Sequence, residues 1–114
     1  MDNFDRLEIQ YDLRYTGPLK VLKNRLVLVV ENMISNALKY QDVTKNKSYL
    51  RISTFKSGNN VILIFHDNGI GVPRNQQDNI FQMFKRFHPK TSFGSGLGLY
   101  MVKKSVNVLG GEIY

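Results

Sequence analysis

The feature that most constrains the fold is an apolar repeat in the first third of the chain. Leu22, Leu26, Val29, Val30, Met33, Ala37 and Leu38 recur at steps of three and four residues, which aligns them on one face of a long helix. A helix with a single apolar stripe needs a second layer to bury it against. The flanking sequence supplies a sheet. Upstream, Leu7, Ile9, Tyr11 and Leu13 alternate with polar residues until Thr16-Gly17-Pro18 breaks the pattern, which predicts a half-buried strand. Downstream, after a polar stretch from Asp42 to Ser48, two strand-like runs at Tyr49–Phe55 and Val61–Phe65 flank Ser57-Gly58-Asn59-Asn60, a hairpin signal.

Pro73 suits the first turn of a short helix running through Ile80 and Phe84. Leu99, Val102, Val106 and Leu109 predict a second long helix, which Gly110-Gly111 would cap. Glu112-Ile113-Tyr114 then reads as the beginning of a further strand. The expected fold class is α/β, a two-layer sandwich in which helices cover one face of a mixed sheet. At 114 residues this is one domain, 1–114, with a single core.

Composition narrows the chemistry. Hydrophobic residues make up 42% of the chain, as a folded globule requires. There is no cysteine, so disulfides, thiolate catalysis and Cys-ligated zinc are excluded; the absence fits a cytoplasmic domain. Met1-Asp2-Asn3-Phe4-Asp5 does not read as a signal peptide, and no apolar run is long enough to span a bilayer. The net charge of +7 favours an anionic partner. The basic residues are scattered from Arg6 to Lys104, unlike a nucleic-acid-binding arm.

Three short motifs carry the polar chemistry. Asn36-Ala37-Leu38-Lys39-Tyr40 comes first, Asp67-Asn68-Gly69-Ile70-Gly71 second and Gly94-Ser95-Gly96-Leu97-Gly98-Leu99 third. Asn32 and Asn36 lie four apart, on a helical stripe that borders the apolar face and that Lys39 and Tyr40 continue. Magnesium takes oxygen ligands and is commonly bound together with substrate phosphates, so one neutral amide oxygen on this stripe suffices beside a triphosphate. The structural alternative is that both asparagines bond only to local backbone.

Asp67 would project from a strand end, where its carboxylate can accept from the exocyclic amine of adenine. Gly69 and Gly71 permit positive φ and close approach of the backbone to a flat ring. A plain Asp-Asn-Gly turn is the alternative. In the third motif, Gly94, Gly96 and Gly98 precede a helix, whose free N-terminal amides favour an anion. The spacing is neither the dinucleotide fingerprint nor a P-loop; a flexible hinge is the alternative reading.

Together the motifs resemble the ATP-binding catalytic domain of two-component sensor histidine kinases. That domain belongs to a superfamily shared with DNA gyrase, heat-shock chaperones and mismatch-repair ATPases. Arg25 to Tyr40 is similar to the kinase N box, Asp67 to Gly71 to the G1 box, Ile80 to Arg86 to the F box and Gly94 to Leu99 to the G2 box. The resemblance implies a Bergerat-type sandwich that binds ATP and Mg2+. It implies that Asn36 binds the metal, Asn32 lines the phosphate side, Lys39 and Arg86 contact phosphates, and Tyr40 packs near the base. Asp67 would read the adenine amine, and His88 to Ser95 would form a lid over the nucleotide.

The resemblance further implies phosphoryl transfer to a histidine on a separate dimerisation domain of a homodimer, and then to a response-regulator receiver domain. That parent protein is either free or membrane-anchored. The phosphoacceptor is absent here: the two histidines, His66 and His88, read as a strand-end side chain and an exposed loop residue. The family continues past Gly111 with strands that complete the sheet, so the sheet is expected to be short. Hydrolysing relatives carry a glutamate base four residues before the metal-binding asparagine. Asn32 stands there in this chain, and Glu31 is about a hundred degrees around the helix. This favours a phosphotransferase over a hydrolase. The rivals are a non-catalytic nucleotide-binding regulatory module of the same fold and a basic nucleic-acid-binding domain; no nucleic acid is expected as a partner.

Overall fold

The computed structural model describes residues 6–82 and 98–114. Its first unit is a strand, a crossover helix and a second strand. β1 (Leu7–Leu13) leads through an extended loop into α1 (Lys23–Lys39), and β2 (Ser48–Ser57) returns parallel to β1. Parallel neighbours require such a crossover. β3 (Asn60–Asp67) then pairs antiparallel with β2 across a tight turn at Gly58-Asn59. The described sheet is mixed, in the order β1-β2-β3. A short 3₁₀ helix (Arg74–Asn79) follows, and α2 (Gly98–Val108) closes the described elements.

The period-two and period-four patterns meet in one core. Ala37 of α1 packs with Leu50 and Ile52 of β2, and Leu7, Ile9, Ile34 and Phe65 surround them. Leu50 is 1% exposed. In the β2–β3 ladder Leu50 faces Asp67 and Ile52 faces Phe65, so the carboxylate of Asp67 belongs to the helix-covered side of the sheet. Residues of opposite parity form the open face. There Arg51 donates to Gln10 Oε1 at 3.1 and 3.2 Å, and the Tyr49 hydroxyl lies 3.3 Å from His66 Nε2.

α2 packs on α1, and Val102 and Ser105 are its buried residues. Its end forms a Schellman motif: Gly111 N–H donates to Val106 O and Gly110 N–H to Asn107 O, each at 3.0 Å, with Gly110 at φ 78°. The expected glycine cap is therefore present.

Two expectations need correction. Arg74–Asn79 is 3₁₀, not the longer helix predicted through Ile80; Phe84 lies outside the described residues. Pro73 immediately precedes it, and five of the six residues are Asn, Gln or Asp, which supply no apolar stripe to hold an α-helix. Glu112-Ile113-Tyr114 is not a strand: none of the described strands pairs with it, and a strand without a neighbour has no ladder to hold it. β1 is half-buried, as its alternation predicts. Tyr11 is 66% and Leu13 48% exposed, because the core lies under the Leu7 and Ile9 end.

Candidate nucleotide site

The end of α1, the end of β3 and the start of α2 lie together at one edge of the sandwich. Asn32, Asn36, Lys39 and Tyr40 are all half-buried, on the border of the core where the helical stripe placed them. Asn32 Nδ2 donates to the Leu28 carbonyl at 2.8 Å. The local backbone bond weighed as an alternative for these asparagines thus exists, but it spends only the NH2 group. The amide oxygen points the other way. A Cβ placed on Gly98 would sit 3.3 Å from Asn32 Oδ1 and 3.5 Å from Asn36 Oδ1. Two hard oxygens therefore converge on the first described turn of α2. Leu99 follows in the same turn and is half-buried. Lys39 sits in the last turn of α1, where a cation complements the helix dipole; among the described residues it forms no ion pair.

Tyr40 ends α1, and its N–H donates to Asn36 O at 3.0 Å. Its carbonyl turns toward the loop after β3 and accepts from Ile70 N–H at 2.9 Å. Gly69 lies between. A side chain there would collide with the Tyr40 carbonyl and come within 2.8 Å of Asp67 Oδ1. Gly69 is thus required for close approach and not for positive φ, a correction to the sequence reading. Gly71 is the residue at positive φ, 75°.

Asp67 is the last residue of β3 and is exposed. Its Oδ1 accepts from Gly69 N–H at 2.8 Å, which fixes the carboxylate plane. The turn chemistry weighed against a binding role is therefore real, and it serves to orient the acid.

Sequence reasoning missed the part played by Asn68. Its Oδ1 accepts from Tyr49 N–H and its Nδ2 donates to the Lys47 carbonyl, both at 2.9 Å. Its own carbonyl accepts from Lys45 Nζ at 2.7 Å. The Asp-Asn-Gly turn signal was visible, but its partners on β2 required the strand register. Lys45 comes from a loop that Asp42 organises. Thr44 donates to Asp42 Oδ1 through its hydroxyl at 2.6 Å and its N–H at 3.0 Å. These bonds hold the Asp42 carboxyl below its ordinary pKa, with the nearby charges of Lys45 and Arg6 adding to the effect.

Arg86, Gly94, Gly96 and Leu97 lie outside the described residues, as does His88. His66 is exposed on the open face beside Tyr49. Among the described residues no cluster of His, Cys, Asp and Glu could hold a metal ion. A groove of about 520 Å³ lined by Lys20, Val21, Leu22, Val108 and Leu109 lies at the opposite ends of α1 and α2, away from this site.

A mixed sheet under antiparallel helices, with an acid at a strand end and amides along the facing helix, defines a class of nucleotide-binding sandwich. Structural comparison agrees. The fold is shared with full-length ShkA, solved in complex with AMPPNP (TM-score 0.74, 22% identity, covering 96% of this chain and 22% of that one). It is shared too with the histidine kinase AdeS of Acinetobacter baumannii (TM-score 0.71, 27% identity, covering 94% and 47%). Residues 22–114 match the family of histidine kinase-, DNA gyrase B- and HSP90-like ATPases; the chain belongs to that family, and its fold is the Bergerat fold. Among characterised proteins it is 29% identical over 109 residues to the alginate biosynthesis sensor protein KinB of Pseudomonas aeruginosa. The match covers 95% of this chain and 18% of KinB, so the chain spans under a fifth of that relative.

Proposed function

We propose that this chain is the ATP–magnesium-binding catalytic domain of a sensor histidine kinase. It would present the γ-phosphoryl group of ATP to a histidine on a separate dimerisation domain. The observation that carries the reading is one cleft edge with two kinds of polar group. An oriented carboxylate stands at the end of β3, and two amide oxygens meet the start of α2.

The roles follow from donor chemistry. Asp67 Oδ1 is engaged by Gly69 N–H, and the second oxygen accepts the adenine amine. Guanine carries a carbonyl at that edge and would face the acid with two acceptors. Gly69 and Gly71 keep side chains off the base. Asn36, with Asn32 beside it, offers neutral hard oxygens that suit magnesium, and the triphosphate supplies the charge. An ion held by Asn36 and Asn32 would supply charge neutralisation to the phosphates when bound. By the family resemblance, Lys39 and Arg86 would add positive charge, and the Gly94, Gly96, Leu97, Gly98 and Leu99 motif would supply backbone amides to the phosphates. The AMPPNP in the ShkA complex and the sensor-kinase relatives support this assignment.

The chain's own residues would bind and orient ATP without activating water. Asn32 cannot act as a base at neutral pH, and Glu31 is exposed. The parent kinase would act as a homodimer, with a response-regulator receiver domain as the next acceptor, at a cytoplasmic location. Calorimetric titration with a non-hydrolysable ATP analogue and magnesium tests the reading. Saturable heat is expected, and none at millimolar nucleotide would overturn it. Phosphotransfer to a supplied dimerisation domain then separates a kinase from a non-catalytic nucleotide-binding module.

A further inference from the structure

Neither the motifs nor the proposed roles give Asn68 a part, yet three hydrogen bonds converge on it. The β2–β3 ladder ends at the pair Leu50 and Asp67. One residue later the main chain must leave the sheet, so that Ile70 can reach the Tyr40 carbonyl. A strand that turns away leaves its neighbour's next N–H and C=O without partners. Here the neighbour's groups are Tyr49 N–H and Lys47 C=O, and the side-chain amide of Asn68 takes both at 2.9 Å. Its oxygen stands where a strand carbonyl would accept, and its NH2 where a strand N–H would donate. Asn68 N–H also lies 3.4 Å from the Tyr49 carbonyl, and Lys45 Nζ holds the Asn68 carbonyl from the opposite loop.

We propose that Asn68 is the positioning residue of the base site: its side-chain amide substitutes for a strand peptide and thereby aims the Asp67 carboxylate so that adenine is preferred to guanine. The inference rests on the ATP reading above. Asp67 is pinned between the last ladder pair and this clamp. The Gly69 N–H bond then sets the rotation of the carboxylate. Ionised Asp in place of Asn68 could accept but not donate, and Ser is too short to reach both partners.

The test is paired titration of the chain and its Asn68→Ala variant with non-hydrolysable ATP and GTP analogues in magnesium, GTP by competition. Thermal midpoints are recorded alongside. Loss of a strand-end clamp is expected to weaken the ATP analogue about tenfold and the GTP analogue little, so selectivity narrows. Asn68→Asp, which keeps the acceptor, falls between. Should Asn68→Ala fail to fold, Asn68→Asp and Lys45→Met carry the same comparison. Equal weakening of both nucleotides, or unchanged selectivity, would overturn the positioning role and leave the ATP reading standing. An unmodified chain that binds neither nucleotide removes that reading and this inference with it.

Discussion

On the base side of the candidate cleft, main chain is fastened to main chain. Ile70 N–H meets the Tyr40 carbonyl, Gly69 N–H meets Asp67, and Asn68 bridges to Tyr49 and Lys47. On the phosphate side, side chains face a glycine: Asn32 and Asn36 present oxygens to Gly98 across a gap that a single methyl would fill. The base side is fixed before a ligand arrives, because its donors and acceptors already satisfy one another. The phosphate side keeps its acceptors for what comes. A purine edge must be read at hydrogen-bond precision, whereas a triphosphate with its ion is held by charge and tolerates adjustment. On the proposed reading, the fixed half would serve selectivity and the open half affinity.

The largest effect should come from the oriented carboxylate on the fixed side. Asp67→Asn replaces a charged acceptor, and affinity for an ATP analogue should fall about ten- to a hundredfold. Calorimetry reads this directly. Affinity held within twofold would break the comparison at its centre, since the oriented carboxylate would then have no ligand to read.

Asn36→Ala probes the open side. Removing a metal-facing oxygen should lower nucleotide affinity about tenfold in magnesium, with little change in a chelator. Magnesium dependence is thus the readout. If affinity drops equally in both conditions, Asn36 acts on the base side and the division between the two halves fails.

The glycines sharpen the contrast. Gly69→Ala would drive a methyl into the Tyr40 carbonyl, and overpacking of this kind costs about 1–3 kcal/mol. Gly71→Ala has open space around it and should cost about 1–2 kcal/mol through its positive φ alone. Denaturant midpoints compare the two. Gly98→Ala should behave differently again. The gain in helix propensity, about 1 kcal/mol, would leave stability level or raised, while the methyl 3.3 Å from Asn32 Oδ1 lowers magnesium–nucleotide affinity a few-fold. A Gly98→Ala variant that loses stability without losing affinity would show the two oxygens to be packing groups.

These contrasts also show what a sequence can convey. The helix repeat from Leu22 to Leu38, the hairpin at Gly58 and the cap at Gly110 are local patterns, and the structure contains all three. The stripe from Asn32 to Tyr40 was legible for the same reason, since helical spacing alone puts it at the core border. Long-range relations were not legible. Gly69 looked like a residue for positive φ until the Tyr40 carbonyl, 29 positions earlier in the chain, was found above it. Asn68 looked like a turn residue until the strand register placed Tyr49 and Lys47 beside it. Ser105 is polar, so the apolar repeat of α2 passes over it, yet it is fully buried, because it shares the face of Val102 and α1 packs on that helix. Tyr11 and Leu13 matched the strand period and are exposed, because alternation specifies a face without specifying how far its cover extends.

The smallest expected effect is on pH. Asp42 anchors the loop that delivers Lys45 to Asn68, with Lys45 Nζ 3.9 Å from its carboxylate. Hydrogen bonds from the Thr44 hydroxyl and N–H lower its pKa from the ordinary 3.8. A carboxyl depressed in the folded state contributes stability above its unfolded pKa and loses it as pH falls through the folded value. The carboxylate lies at the surface of a half-buried residue, so solvent screens part of the effect. Between neutral pH and the region below 3.8, the chain should lose slightly more thermal stability than an Asp42→Asn variant, whose side chain does not titrate. The loss should extend to the base side, as a greater decline in adenine affinity for the unmodified chain over the same range. If acidification instead favours the unmodified chain over Asp42→Asn, the sign is reversed. The Asp42 loop would then not belong to the network that keeps the base side fixed.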